Sequence, residues 1–177
     1  MRYVIVCLIK GEALNYHEDL VNDICNRFNV KRQRLPGHFT IKAPFETDNI
    51  GEIKQLTKDF CSLNTSTPIE LKNFGKFRES VIFMDVKVSE AALKTYNKYI
   101  DLLKTVGWLE WKKNESMDKV FHCTLISKIP VGKFHDILNY VSNLNYYFQT
   151  QFNNISILRW ENDRWVTDEE YNFKDRD

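Results

Sequence analysis

The chain has 177 residues and no long apolar run. Its longest, Tyr3–Ile9, falls far short of the roughly twenty residues that a membrane-spanning helix needs. It is followed by Lys10-Gly11-Glu12 rather than by a small-residue cleavage site, so it reads as a buried strand and not as a signal peptide. Charge of one sign is also missing: 25 Lys and Arg against 24 Asp and Glu leave a formal net charge of +1. A protein that coats long nucleic acid needs a positive excess to neutralise many phosphates, and that class is excluded. Cys7, Cys25, Cys61 and Cys123 form no Cys-x-x-Cys pair, and no His stands at zinc-finger spacing from two of them. They read as reduced, buried thiols in a cytoplasmic protein. With only 6 Gly and 4 Pro there is no linker or low-complexity tract. What the chain does have is 43% hydrophobic and 14% aromatic residues, which sets it apart from disordered sequences and supplies a core.

Hydrophobic periodicity predicts helices over residues 12–28, 50–63, 90–103 and 131–144. It predicts strands over 3–9, 38–45, 69–77, 81–88 and 121–129, with a hairpin from 147 to 166 turning near Glu161-Asn162-Asp163. After each of two short strands, one opening near His38 and one near His122, the order is helix, strand, turn, strand. Such internal similarity suggests two copies of one small α+β unit. Neither copy alone would bury its sheet face well; set face to face they would bury it and leave a cleft. The expected architecture is therefore α+β, one domain over 1–177. Two pseudo-symmetric lobes, each an antiparallel sheet backed by helices, would carry the segments 38–41 and 122–125.

The chain holds four histidines: His17, His38, His122 and His135. Two of them open the same tripeptide, His38-Phe39-Thr40 and His122-Cys123-Thr124, each followed by an aliphatic residue, Ile41 or Leu125. On a strand, residues two apart point to one face. Strict alternation then puts His38, Thr40 and Lys42 on one face, and His122, Thr124, Ile126 and Lys128 on the corresponding face of the second strand. Ser and Thr together number 18 of 177, so the bare His-x-Thr spacing carries little weight. The conjunction carries more: both tripeptides open short strands, both precede helices, and both hold matching places in the repeat. Across a pseudo-two-fold cleft, a neutral imidazole can take a proton from water while an opposed imidazolium gives one to a leaving oxygen. The Thr hydroxyls can hold the non-bridging oxygens of a phosphate between them. In-line displacement at phosphorus needs that two-sided geometry. No Gly-rich loop followed by Lys-Ser/Thr suggests a nucleoside triphosphate site, and no carboxylate cluster suggests a metal.

The paired His-x-Thr-aliphatic segments resemble the signature of the two-histidine (2H) phosphoesterase superfamily, and within it the RNA 2′,3′-cyclic phosphodiesterases, also called the 2′-5′ RNA ligase family. The stretch Leu71-Lys72-Asn73-Phe74-Gly75-Lys76-Phe77, followed by Val81-Ile82-Phe83-Met84-Asp85-Val86, is similar to that family's central hairpin. The resemblance runs from Tyr3 to about Val166. It implies that His38 and His122 are the acid and base and that Thr40 and Thr124 bind phosphate. It also implies a reaction without metal or cofactor, on an RNA terminus or small nucleotide; the short apolar runs exclude a membrane partner, and a monomer is expected. Other readings are a 2H enzyme acting on a different small phosphodiester, such as a 2′-5′ linked oligonucleotide, or a module that only binds RNA ends. The chain departs from the family in carrying Lys128, with few Arg, after its second motif.

Lys42 and Lys128 are secondary candidates for holding the phosphate; the alternative is that they are solvated strand ends. Lys31, Arg32 and Arg34 form a basic cluster that reads as a solvated loop or as a guide for an RNA end. Phe77, Trp108, Trp111, Trp160 and Trp165 are stacking candidates or core, with Trp111 the best of them for stacking. His17 and His135, lacking the Thr partner, read as structural or exposed. Alternation sends Cys123 into the hydrophobic layer, away from chemistry.

Overall fold

The computed structural model describes residues 1–112, 115 and 119–175. The first half supplies β1 (Arg2–Leu8), α1 (Gly11–Phe28), β2 (His38–Glu46), α2 (Ile50–Leu63), β3 (Thr67–Phe77), β4 (Val81–Val88) and α3 (Glu90–Leu103). The second supplies β5 (His122–Ser127), α4 (Phe134–Ser142), β6 (Tyr147–Phe152), β7 (Asn154–Glu161) and β8 (Arg164–Asn172). The helices follow from amphipathic spacing. In α1, Ala13, His17, Leu20, Val21 and Ile24 are the buried positions, and the helix stops at Asn29, which adopts the left-handed conformation (φ 49°) that asparagine tolerates. In α3 the Ser89 side chain caps the first turn by accepting from the Ala92 N–H at 3.1 Å.

The fold is α+β and two-lobed. One antiparallel sheet runs β2-β1-β7-β8, the other β5-β4-β3-β6, and each is backed by helices. The lobes are not the two halves of the chain. The β3–β4 hairpin of the first half sits beside β5 and β6, while the β7–β8 hairpin of the second half sits beside β1 and β2. Each half thus lends its hairpin to the other's sheet. One hydrophobic cluster runs through both lobes, from Ile5 and Ile157 to Met84, Phe121 and Ile137.

The segment expected as one arm of a hairpin from 147 is two strands. β6 pairs with β3 and β7 with β1, with the break at Asn153. Asn154 fixes the change of sheet: its buried side chain accepts from the Leu8 N–H at 3.0 Å and donates to the Leu8 carbonyl at 2.9 Å. The tight turn expected at Asn162-Asp163 is present, both residues having positive φ (47° and 60°), the backbone a two-residue hairpin turn favours. No helix among the described residues is long and apolar enough to cross a membrane.

Candidate functional site

β2 and β5 are edge strands, and they lie against one another. An edge strand's free side must be covered or paired; here each edge covers the other. The core-facing residues of the two His-x-Thr segments interlock. Phe39 meets Phe121 edge to face, with centroids 5.6 Å apart. The fully buried Cys123 faces the backbone N–H of His38. Burial pushes its thiol up to about 12, so it stays protonated. With Phe39 and Cys123 locked inward, alternation turns His38 and Thr40, and His122 and Thr124, to the opposite face of their sheets. The register agrees: His38 pairs with Leu8 and Thr40 with Val6, while His122 pairs with Asp85 and Thr124 with Phe83.

The two imidazoles are anchored alike. Nδ1 of His38 lies 2.7 Å from the Pro36 carbonyl, and Nδ1 of His122 lies 2.8 Å from the Val120 carbonyl. A carbonyl only accepts, so Nδ1 carries the proton in both rings. Nε2 is then left as the group that takes or gives a proton. The same bond, to the residue two positions back, fixes both tautomers.

The environments differ. His38 is buried, only 6% exposed, which is less open than the two-sided cleft expected from the sequence. Burial, helped by the neighbouring charges of His122, His17 and Lys119, lowers its pKa to about 4 against the opposing Pro36 bond. His122 is half-buried. Burial and Lys119 lower its pKa too, while the Val120 bond and the Asp85 carboxylate opposite it on β4 favour its charged form. The charges of His122 and Lys119 both disfavour the protonated form of His38, and Lys119 does the same to His122. Thr40 and Thr124 remain partly open to solvent.

Strict alternation fails after the fourth residue of each segment. The pairing shifts from Val6–Thr40 to Ile5–Lys42 on β2, and from Phe83–Thr124 to Ile82–Ile126 on β5. Ile41 and Leu125 are therefore extra residues in matching β-bulges. Each bulge turns the following residue to the core side, so Ile126 does not share a face with His122 as alternation requires, and Lys42 leaves the face of His38. Lys42 is 1% exposed. Its ammonium donates to both carboxylate oxygens of Glu115, at 2.9 and 3.0 Å, and lies 4.9 Å from the centre of the Trp111 ring. Glu115 also accepts from the Ala43 N–H at 3.0 Å and the Lys112 N–H at 2.7 Å. Lys128 is exposed, lies beyond the end of β5 and has a positive φ (54°). The structure thus gathers His38, Thr40, His122 and Thr124, and sets Lys42 and Lys128 apart from them.

Among the described residues, Lys119 is a cation whose charge bears on both histidines, and sequence reasoning missed it. Its ammonium is half-buried, and burial lowers its pKa against the pull of Glu115. A lysine three residues ahead of His122 in a polar connection gave no periodic signal to find it by. His17 is structural: it is 1% exposed, and its Nε2–H donates to the Thr124 carbonyl at 2.9 Å, where Gln33 also donates. Gly37 makes room for it, since a Cβ there would stand 3.0 Å from the His17 ring. His135 is exposed, 3.5 Å from Glu79. Of the basic cluster, Arg32 is tied to Glu18 and Asn22, and Arg34 to the Asp163 carbonyl and the Trp160 face. Trp111 is occupied by Lys42, Trp108 donates to Glu52 at 2.6 Å, and Trp160 packs on Trp165. Among the described residues no group of three or more His, Cys, Asp or Glu side chains converges as a metal site would require.

The His122 wall is aromatic. Phe77 meets the imidazole edge to face with centroids 4.8 Å apart, and Phe83 lies 5.1 Å from it. Gly75 permits this packing: a Cβ on it would come within 2.3 Å of the Phe83 ring.

The family model of the 2′-5′ RNA ligase superfamily matches residues 15–164. A protein of Geobacillus thermodenitrificans (strain NG80-2) named "Putative phosphoesterase" is 24% identical over 155 residues, covering 84% of this chain and 85% of its own. In fold, the chain is similar to TT0787 of Thermus thermophilus, with a TM-score of 0.75, 13% identity and 98% of each chain covered. It is also similar to E. coli LigT complexed with 3′-AMP, with a TM-score of 0.61, 10% identity, and 97% and 96% of the two chains covered. With its two His-x-Thr segments on facing edge strands and a match that spans most of its length, the chain belongs to the 2′-5′ RNA ligase superfamily of 2H phosphoesterases.

Proposed function

We propose that the protein is a phosphodiesterase that opens a 2′,3′-cyclic phosphate at a nucleotide or RNA terminus. The observation that carries this reading is the matched pair of Nδ1–H bonds to Pro36 and Val120, which leaves two Nε2 atoms of defined tautomer for proton transfer. His38, deeply buried and with a pKa near 4, is neutral at neutral pH and serves as the base. His122, less buried and with Asp85 opposite, is the group that carries a proton to the reaction. An anionic phosphate between them favours that protonated form.

Water attacks phosphorus and gives its proton to Nε2 of His38. The bond from phosphorus to one ribose oxygen breaks, and that oxygen takes the proton from Nε2 of His122. The product is a phosphomonoester beside a free hydroxyl. Proton exchange with solvent then resets both rings. Thr40 and Thr124 donate to the non-bridging oxygens, and the Lys119 ammonium offsets charge as it builds there. Lys42 and Lys128 have no part in this assignment.

The test is turnover of a nucleoside 2′,3′-cyclic phosphate in the presence of chelator. His38→Ala and His122→Ala should each lower kcat about 10²- to 10⁴-fold, with the fold intact by circular dichroism. Full activity in both variants would refute the assignment. Binding of RNA ends without turnover by the unaltered protein would mark it as a binding module instead.

A further inference from the structure

The two sides of the site differ in burial, and they differ also in Phe77. Pairing runs from Gly75 through Phe83 to Thr124, and from Phe77 through Val81 to Ser127, so Phe77 shares the face of His122 and Thr124. Its neighbour on that face, Phe83, is 4% exposed, yet Phe77 is 36% exposed. A single exposed phenyl is ordinary on a protein surface. This one is held on two sides, by Phe83 at 4.6 Å and by the His122 imidazole at 4.8 Å, with its plane almost perpendicular to the imidazole (85°). A ring so fixed loses little freedom when something stacks on it. Among the described residues no aromatic ring packs in this way on the His38 imidazole, so the platform belongs to one side only.

We propose that Phe77 is a stacking platform for the nucleobase of the substrate, and that it makes the site prefer nucleoside phosphodiesters over sugar phosphodiesters without a base. The proposal rests on the phosphodiesterase reading for its choice of ligand. In a 2′,3′-cyclic nucleotide the base is one ribose away from phosphorus, a span that a ring touching the imidazole can bridge. A phenyl face offers no hydrogen-bond pattern, so the selection is for a flat aromatic surface rather than for one base, and the larger purines gain more than pyrimidines.

The experiment compares adenosine 2′,3′-cyclic phosphate with methyl ribofuranoside 2′,3′-cyclic phosphate by kcat/KM, and adenosine 3′-phosphate with ribose phosphate by direct binding. Phe77→Ala should lower the preference for the adenosine compound about five-fold or more in both measurements. Phe77→Tyr should keep it. Phe77→Leu, which retains the apolar bulk beside Phe83, should keep the melting temperature and lose the preference. A preference unchanged in Phe77→Ala and Phe77→Leu would overturn the proposal, as would an equal loss on both compounds, which marks Phe77 as a mere support for His122. The binding arm separates the two readings. If the unaltered protein turns over neither compound yet its preference for the adenosine ligand depends on Phe77, the phosphodiesterase reading fails and the platform stands.

Discussion

Glu115→Gln tests the physical account of Lys42 directly. The substitution keeps a carbonyl for the Ala43 N–H but removes the charge that faces an ammonium only 1% exposed. Taking one partner from a buried ion pair leaves an uncompensated charge and costs about 3–5 kcal/mol. For a domain of this size each kcal/mol moves the melting point by about 2–4 °C, so a fall of about 10 °C is expected. The matching bulges supply the rescue. Lys42 is buried against the Phe45 and Trp111 rings, surroundings that suit an apolar side chain, and Ile126 is such a side chain at the matching place in β5. Lys42→Met combined with Glu115→Gln removes both charges and should recover most of the loss, because replacing a buried pair by apolar groups of similar volume is often neutral. Urea unfolding followed by circular dichroism gives all the stabilities, and the KM of the double variant for a cyclic nucleotide should match that of the unaltered protein. A double variant as unstable as Glu115→Gln alone would refute the reasoning. A several-fold rise in its KM would return Lys42 to the phosphate site.

Three further outcomes are expected. The folded pKa of His38, about 4, lies below the ordinary value of about 6.5, so the unfolded chain binds the proton more readily. The native state should lose about 3 kcal/mol as pH falls from about 6.5 toward 4 and show no such loss above 6.5; urea midpoints across that range should have a shallower slope in His38→Asn, and an equal slope would contradict the burial argument. Gly75→Ala places a methyl in the Phe83 ring and should lower both the melting temperature and kcat, with Phe83→Leu in the same chain restoring part of each; unaltered kcat in Gly75→Ala would show that the aromatic wall does not steady His122. Lys119→Met removes a positive charge that disfavours both imidazolium forms, so the acid limb of the pH–rate profile should move to higher pH and kcat/KM should fall about ten-fold. Lys119→Arg should keep the original limb, and an unmoved limb in Lys119→Met would remove that cation from the site.

Much of this was legible in the sequence because it depends on local pattern. The two His-x-Thr segments, the limits of α2, α3 and β4, and the inward turn of Cys123 all follow from periods of 3.6 or 2 read over a few residues. Lys42 was misread because a bulge is a property of two paired strands, and nothing in His38–Lys42 alone shows that β1 advances by one residue while β2 advances by two. Its partner, Glu115, lies in an irregular connection with no period. The exchange of hairpins was hidden for a related reason: β3–β4 and β7–β8 were recognisable as hairpins, but which sheet a hairpin joins is decided by packing across the whole chain. Lys119 sits where pattern carries no information, and its significance comes only from the burial of its neighbours.

The crossing of the β3–β4 and β7–β8 hairpins has a consequence for how the protein can come apart. Cutting between α3 and β5 would free two fragments. The first would hold β1 and β2 without β7 and β8, and the second β5 and β6 without the β3–β4 pair that joins them. Neither fragment can then survive as a miniature of the whole, although each carries a full copy of the repeated pattern. Denaturation should be a single all-or-none event, and mixing the two pieces should regenerate the parent only when both are present. An ancestral duplication in this lineage, had it begun with a free-standing half, would have needed two such halves to swap arms as a dimer before the join was made.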